Sequence, residues 1–298
     1  MLKRVCCFTF GMLVLTSQAG AAPVPPDIER LIRAATPAQL DVVAAVAKTA
    51  NPSSAAEIDA LVASIKGTAA ETRRQQLATQ SVFQSWAGEG QVGGFITSGN
   101  TEQSGFNVGL VLNREGLMWN HHINALADFQ KTDGETTREA FRVSYQLDYR
   151  ISDLWFAYGL VQWERDKFAL LDRRFTESLG IGYTVLNTAP LSLVVDGGVA
   201  FRQTQYITPD LEESDIAARA TAKFAWEIRP GLRFTEEAGG LFGGTTSTIY
   251  SRSALTVALA GALSARASFD VNYESEPPPG VESTDTITRF TLVYSFSR

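Results

Sequence analysis

His121 and His122 are the two histidines of the chain, and Cys6 and Cys7 its two cysteines. These four residues hold every imidazole and thiol available for metal ligation or nucleophilic chemistry. If His121 and His122 lie on a strand, adjacent side chains point to opposite faces, so they cannot ligate one ion together. By register His121 faces outward near a rim, and His122 faces inward beside Asn120 and Asn124. A hydrolase built on His122 needs a serine and an orienting group at matching height, and the sequence presents no such constellation. No catalytic, metal or cofactor site is therefore assigned.

The densest charge cluster is Glu164-Arg165-Asp166-Lys167 followed by Asp172-Arg173-Arg174. It could gate an opening, bind a cation or contact lipopolysaccharide phosphates; the reading preferred here is a loop folded over a barrel mouth and held by its own ion pairs. Asp210, Glu212, Glu213 and Asp215 could attract divalent cations, although a solvated loop is the simpler account. A third set stands at the inward, lumen-facing positions of the strands read below: Arg142, Asp148, Arg150, Asp196, Arg202, Arg219, Lys223, Glu227, Arg233, Glu237, Arg252, Arg266 and Asp270. Charges of both signs on one face must pair, line water, or do both, because isolated charges in a low-dielectric interior cost several kcal/mol each.

The elements that carry these residues follow from periodicity. From Gly88 to the C-terminus the period is two: Phe141, Val143, Tyr145, Leu147, Tyr149 and Ile151 alternate with Arg142, Ser144, Gln146, Asp148 and Arg150. Strands are predicted near 88–99, 103–114, 117–130, 137–151, 154–166, 173–187, 191–205, 215–228, 231–243, 248–260, 262–275 and 285–297. About 17 residues per strand and connection suffices for the roughly 9 to 11 tilted residues that cross a hydrocarbon core. Connections alternate between short ones, such as Ser152-Asp153 and Arg229 to Gly231, and longer polar ones, such as Lys131 to Thr136, Asp166 to Arg173, Ile207 to Ser214 and Ser275 to Asp285. Tight turns at one rim and longer loops at the other are the asymmetry of an outer-membrane barrel with both termini in the periplasm.

A soluble sandwich also alternates. Aromatic placement separates the two: Trp119 and Phe129 end one apolar stripe, Trp155 and Trp163 another, and Trp226 and Phe234 flank a tight turn, as interfacial girdles require. The fold class is therefore all-β, a transmembrane antiparallel barrel of about twelve strands, preceded by a short α-helical N-terminal segment. Ser178, Gly180, Gly182, Gly198, Ala200, Gly239, Ala254 and Ala258 on the inward faces are expected to leave room on one wall.

Before the barrel, Pro26 to about Ala87 shows helical spacing in Ile28, Leu31, Ile32; Leu40, Val43, Ala44, Val46; and Ile58, Leu61, Val62, Ile65. Thr36 before Pro37 and Asn51-Pro52-Ser53 read as helix starts, and Gly67 as a stop. Ahead of that, Lys3 and Arg4, the apolar run Val5 to Thr16, and Ala19-Gly20-Ala21 form the three parts of a secretory signal peptide, so residues 1–21 are removed, 22–87 form a helical periplasmic segment and 88–298 the barrel. Both cysteines leave with the signal.

The 298 residues are 45% hydrophobic, 10% aromatic and 19% charged. The apolar run of the signal is too short to cross a bilayer as a helix, which excludes a polytopic helical protein. Without Lys3 and Arg4 the balance is 24 basic to 32 acidic residues, a net charge near −8. That argues against a nucleic-acid partner. The partners expected are outer-membrane lipids, lipopolysaccharide and the barrel assembly machinery. Phe290, Leu292, Tyr294 and Phe296 alternate to the end of the chain as its assembly signal does, with Ser297 and Arg298 beyond.

Gly99-Asn100-Thr101, Tyr158-Gly159, Glu164-Arg165-Asp166-x-Phe168-x-x-Leu171-Asp172-x-Arg174, Gly180-x-Gly182-Tyr183 and the closing Tyr294-x-Phe296 resemble the salt-induced outer-membrane protein family, a domain family of unknown function. The resemblance spans about Gly88 to Phe296. It implies an outer-membrane β-barrel without an established activity, and its most specific part is the stretch holding Glu164, Asp166, Phe168, Asp172 and Arg174. The expected function is non-enzymatic: a narrow pore for small solutes or ions, or an envelope protein of osmotic or salt stress. The rivals are an outer-membrane lipid hydrolase and a structural or adhesion barrel with a periplasmic partner.

Overall fold

The computed structural model describes residues 22–37, 39–81, 84–97, 103–207 and 211–297. The signal peptide, Gly99-Asn100-Thr101 and Asp210 lie outside them. The chain divides into two compact units at Arg73 and Arg74.

Before the barrel in sequence, α1 (Pro26–Ala34), α2 (Leu40–Ala50), a 3-10 turn (Pro52–Ser54) and α3 (Ala55–Thr79), which runs past the division, follow one another. Their core is Ile32, Leu40, Ala44, Ala47, Ile58 and Val62, whereas Leu31 and Val46 from the same periodic stripes stay exposed. The start read at Thr36 and Pro37 falls three residues early: α2 begins at Leu40 with Gln39 as its N-cap and no side-chain cap, and Thr36 contributes only its carbonyl, which accepts the N–H groups of Gln39 and Leu40. Gly67 does not stop the helix. The stretch after it, Thr68 to Thr79, is rich in Ala, Glu, Arg, Gln and Leu, and that sum of helix propensity outweighs the roughly 1 kcal/mol a single interior glycine costs.

The second unit is a closed antiparallel barrel in which each strand pairs with its sequence neighbours and β1 closes on β12. The strands are β1 (Trp86–Thr97), β2 (Gln103–Arg114), β3 (Trp119–Thr132), β4 (Glu135–Arg150), β5 (Trp155–Asp166), β6 (Leu171–Asn187), β7 (Leu191–Tyr206), β8 (Glu212–Arg229), β9 (Leu232–Phe242), β10 (Thr248–Ala260), β11 (Leu263–Glu274) and β12 (Thr284–Ser297). Both ends of the barrel meet at one rim, where Ala87 pairs with Ser297. One predicted long loop is absent: β3 and β4 are joined by Asp133-Gly134 alone, both at positive φ (50° and 81°). That pair is the preferred sequence for a two-residue type I′ hairpin, whose twist matches the strands.

The period of two sorts the side chains. Facing out are Leu179 (69% exposed), Phe290 (72%) and Ile216 (75%) together with most of the large apolar residues of the barrel. Water does not tolerate a continuous apolar surface of this extent, whereas hydrocarbon does. Aromatic pairs lie near both ends of this face: Trp119 with Tyr149 (4.8 Å between rings) and Trp155 with Tyr183 (4.7 Å) at the rim of the termini, Phe106 with Phe129 (4.8 Å) toward the other. The outer face also carries a carboxylate that alternation alone does not suggest. Glu236 accepts hydrogen bonds from the Ser251 hydroxyl (2.7 Å) and from Ser253 on the neighbouring strand.

Candidate functional site: the lumen

Most buried polar side chains of the barrel face inward. Asp128, Gln146, Asp148, Arg174, Asp196, Arg202, Arg219, Asp270 and Arg289 are all under a tenth exposed. They line or border a cavity of about 1110 Å³ inside the barrel.

Ion pairs tie these groups together both along the wall and across it. Between neighbouring strands, Arg142 Nε donates to Glu164 (2.7 Å), Arg219 to Asp196, and Arg252 Nη1 to Glu237 (3.1 Å). Across the lumen, Arg174 on β6 grips Glu274 on β11 with two hydrogen bonds (2.6 and 3.2 Å), while its Nε donates to Thr204 Oγ1 (3.3 Å). β6 and β11 stand five places apart in a ring of twelve, so this pair nearly spans the diameter. Arg289 on β12 reaches over two strands to Asp128 on β3, through Nε (2.9 Å) and Nη2 (2.6 Å), and holds Asp270 with Nη1 (2.7 Å). Arg266 on β11 donates to Glu89 (2.6 Å) and Gln91 (3.3 Å) on β1. Arg202 bonds the carbonyl of Thr246 and the Thr248 hydroxyl (2.8 Å).

Of the residues expected to line the lumen, Arg142, Asp148, Arg150, Asp196, Arg202, Arg219, Lys223, Arg266 and Asp270 lie on the cavity wall. Glu227 sits at the rim, where its carboxylate accepts the Gly231 N–H (3.1 Å) across a tight turn. Arg289, Asp128, Glu89 and Glu274 were not singled out from sequence, although the same inward register on β12, β3, β1 and β11 was the signal that could have found them.

The expected open wall of small residues is covered at two of its glycines, while Ala254 borders the cavity. The Tyr158 ring covers Gly180 and the Phe156 ring covers Gly182; a Cβ at either glycine would meet ring carbons at 2.7 Å or less. Arg219 in turn lies over Tyr158, 5.2 Å from the ring centre. Single-strand alternation reports which way a side chain points, but the large residues that fill space over these glycines come from the adjacent strand, as direct partners in the β5–β6 pairing.

The stretch from Glu164 to Arg174 resolves into a turn and two lumen contacts. Asp166 Oδ1 accepts the N–H groups of Phe168 (3.1 Å) and Ala169 (3.2 Å), which shapes the reversal after β5. Glu164 and Arg174 on either side enter the lumen pairs above, Phe168 is exposed at the tip, and Asp172 is half-buried beside a bulge between Leu171 and Arg173. Asp215, near the start of β8, accepts at Oδ1 from the Thr245 N–H (3.0 Å) and hydroxyl (3.1 Å), bracing that strand end to the loop between β9 and β10. Among the described residues no group of three His, Cys, Asp or Glu side chains is placed to hold a metal ion. His121 Nδ1 lies 2.9 Å from the Tyr145 hydroxyl on the outer face; His122 faces the lumen between Asn113 and Asp148.

Comparison with known proteins gives a family and remote structural likenesses. An uncharacterized protein, YdiY, of Escherichia coli (strain K12) is 25% identical over 199 residues, 66% of this chain and 78% of its own length. Similar solved structures include the COG4313 outer membrane channel of Pseudomonas putida F1 (12% identity, 73% of this chain and 97% of that one, TM-score 0.46). The translocator domain of the autotransporter NalP of Neisseria meningitidis is another (12%, 78% and 96%, TM-score 0.40). Residues 90–296, nearly the whole barrel, match the profile of one family. The chain belongs to that family, described as protein of unknown function, DUF481.

Proposed function

We propose that the chain is a non-enzymatic outer-membrane barrel whose lumen is a constricted path for small polar solutes or ions, held narrow by ion pairs that reach across it. The observation that carries this reading is the reach of the cavity: its lining includes Ser152 and Asp153 at one rim and Pro278 and Glu282 at the other. A wall of paired arginines and carboxylates faces water or its own partners at far lower cost than it would face hydrocarbon. Twelve strands fall between the barrels filled by side chains and the 16 to 18 strands of open channels, so a narrow path closed at points by long arginines is the expected outcome. In this reading the rim that holds both termini lies in the periplasm, residues 1–21 direct export, and the alternating apolar end of β12 engages the assembly machinery. His122 hydrogen-bonds an amide and a carboxylate, partners that give it no nucleophile to activate. A part in osmotic or salt adaptation rests on the family resemblance drawn from the sequence.

The test is conductance of the purified full chain in planar lipid bilayers. Discrete ion-conducting steps are expected. Their absence, together with no solute release from liposomes, would remove the path and leave a structural barrel.

A further inference from the structure

Side-chain amides gather on one part of the lumen wall. Asn113 on β2, His122 on β3 and Gln146 on β4 stand directly opposite one another in a single cross-strand row. One row toward the rim of the termini Asn120 faces Asp148, and one row the other way Asn124 faces Ser144. All of these residues line the cavity. On the remaining strands the inward face carries the paired charges described above among hydroxyls, aromatic rings and aliphatic residues, with amides one at a time, as at Gln91, Gln162 and Asn272.

The row is internally oriented. His122 Nδ1 lies 2.7 Å from Asn113 Oδ1 and Nε2 lies 3.1 Å from Asp148 Oδ2, while Gln146 Nε2 donates to Asp148 Oδ1 (2.8 Å). Asn120 Oδ1 accepts the Gly116 N–H (3.3 Å). These bonds leave the Asn113 NH₂, the Gln146 carbonyl and both polar ends of Asn124 without a protein partner among the described residues, facing the cavity. Arg150, the next inward cation on β4, is engaged by Glu115 (3.3 Å).

An amide offers a donor and an acceptor side by side without net charge. Three rows of such groups match the adjacent hydroxyls of a sugar or polyol, each of which both donates and accepts. An anion would meet Asp148 there with no free cation in the row, and contacts from neutral groups are weak enough to exchange with water along a path. We infer that this patch on β2, β3 and β4 is a weak binding wall for neutral polyhydroxylated solutes of monosaccharide size. The inference rests on the reading of the lumen as an accessible path.

Labelled glucose and gluconate, which differ by a carboxylate, are the probes. In equilibrium dialysis against the full chain in detergent, glucose is expected to bind saturably in the millimolar range. Asn113→Leu with Asn124→Leu is expected to weaken binding about tenfold, the loss of two or more neutral hydrogen bonds. Gluconate is expected to compete at least about tenfold less well. If the double variant does not refold, Asn124→Ser alone shortens the amide and is expected to weaken binding severalfold. Absence of saturable glucose binding, equal competition by gluconate, or unchanged binding in the variants would overturn the inference. Bilayer recordings separate it from the path itself. Ion-conducting steps that glucose lowers no more than its viscosity requires would overturn the binding wall and leave the path standing. Binding in detergent without conductance would do the reverse.

Discussion

Replacing Arg289 with alanine should be among the most damaging single changes in the barrel. Its guanidinium makes three hydrogen bonds to two carboxylates, and the three side chains are 7% to 10% exposed. Charge-assisted hydrogen bonds contribute about 1.5–3 kcal/mol each, so their gross sum is roughly 4–9 kcal/mol. Water entering the lumen would solvate part of the freed Asp128 and Asp270, which brings the expected loss to about 3–5 kcal/mol, the range for breaking a buried pair by removing one partner. The location adds to the effect. Arg289 on β12 reaches Asp128 on β3 across β1 and β2, and so braces the seam where Ala87–Gly93 pair with Thr291–Ser297 to close the ring. The assay is reversible urea unfolding of the full chain in lipid vesicles, followed by tryptophan emission. Arg289→Met combined with Asp128→Asn and Asp270→Asn should recover most of the loss, because no uncompensated charge remains. A single Arg289→Ala variant within about 1 kcal/mol of the parent would refute the reasoning, since the triad would then be solvated as freely as a surface pair.

Other outcomes follow from the same geometry. Arg174→Ala removes the contact that nearly spans the lumen and should raise single-channel conductance severalfold with the chain still folded; an unchanged conductance would mean the narrowest point lies elsewhere. Gly198→Ala should destabilise the barrel by about 2 kcal/mol or more in the same urea assay, because a Cβ there would stand 2.1 Å from the Leu179 carbonyl oxygen and 2.6 Å from the Gly180 Cα, both backbone atoms. Gly67→Ala should stabilise α3 by about 0.5–1 kcal/mol, seen as slower amide exchange over residues 55–79, since nothing lies within 4 Å of the added methyl.

The barrel was legible in the sequence because alternation is a local property. Strand ends agree with the pattern to within about three residues, and the side of the wall on which Arg142, Asp148 or Asp270 stands follows from its neighbours alone. What was not legible is long-range. Arg174 and Glu274 lie 100 residues apart, and Arg289 and Asp128 lie 161 apart. Which cation meets which carboxylate depends on the stagger accumulated around twelve strands, a quantity no window of sequence contains. Tyr158 over Gly180 is a more local miss: the two are direct partners across the β5–β6 hairpin, and a glycine read as free space is the seat for its partner's ring. Glu236 is a different kind of miss. A carboxylate on the greasy face breaks the binary pattern, and only the strand pairing reveals the two serines that satisfy it.

The most direct test of the central claim uses one strand. The chain beyond the predicted signal has no cysteine, so single cysteines at each position from Ser264 to Val271 on β11, spin-labelled in lipid vesicles, report access to oxygen and to a water-soluble nickel complex. Two interleaved sets are predicted: high oxygen access at residues 265, 267, 269 and 271, and none of that lipid signature at 264, 266, 268 and 270. Accessibility without a period of two, or water access on the face carrying Phe269 and Val271, would contradict a barrel that meets hydrocarbon outside and encloses a polar lumen.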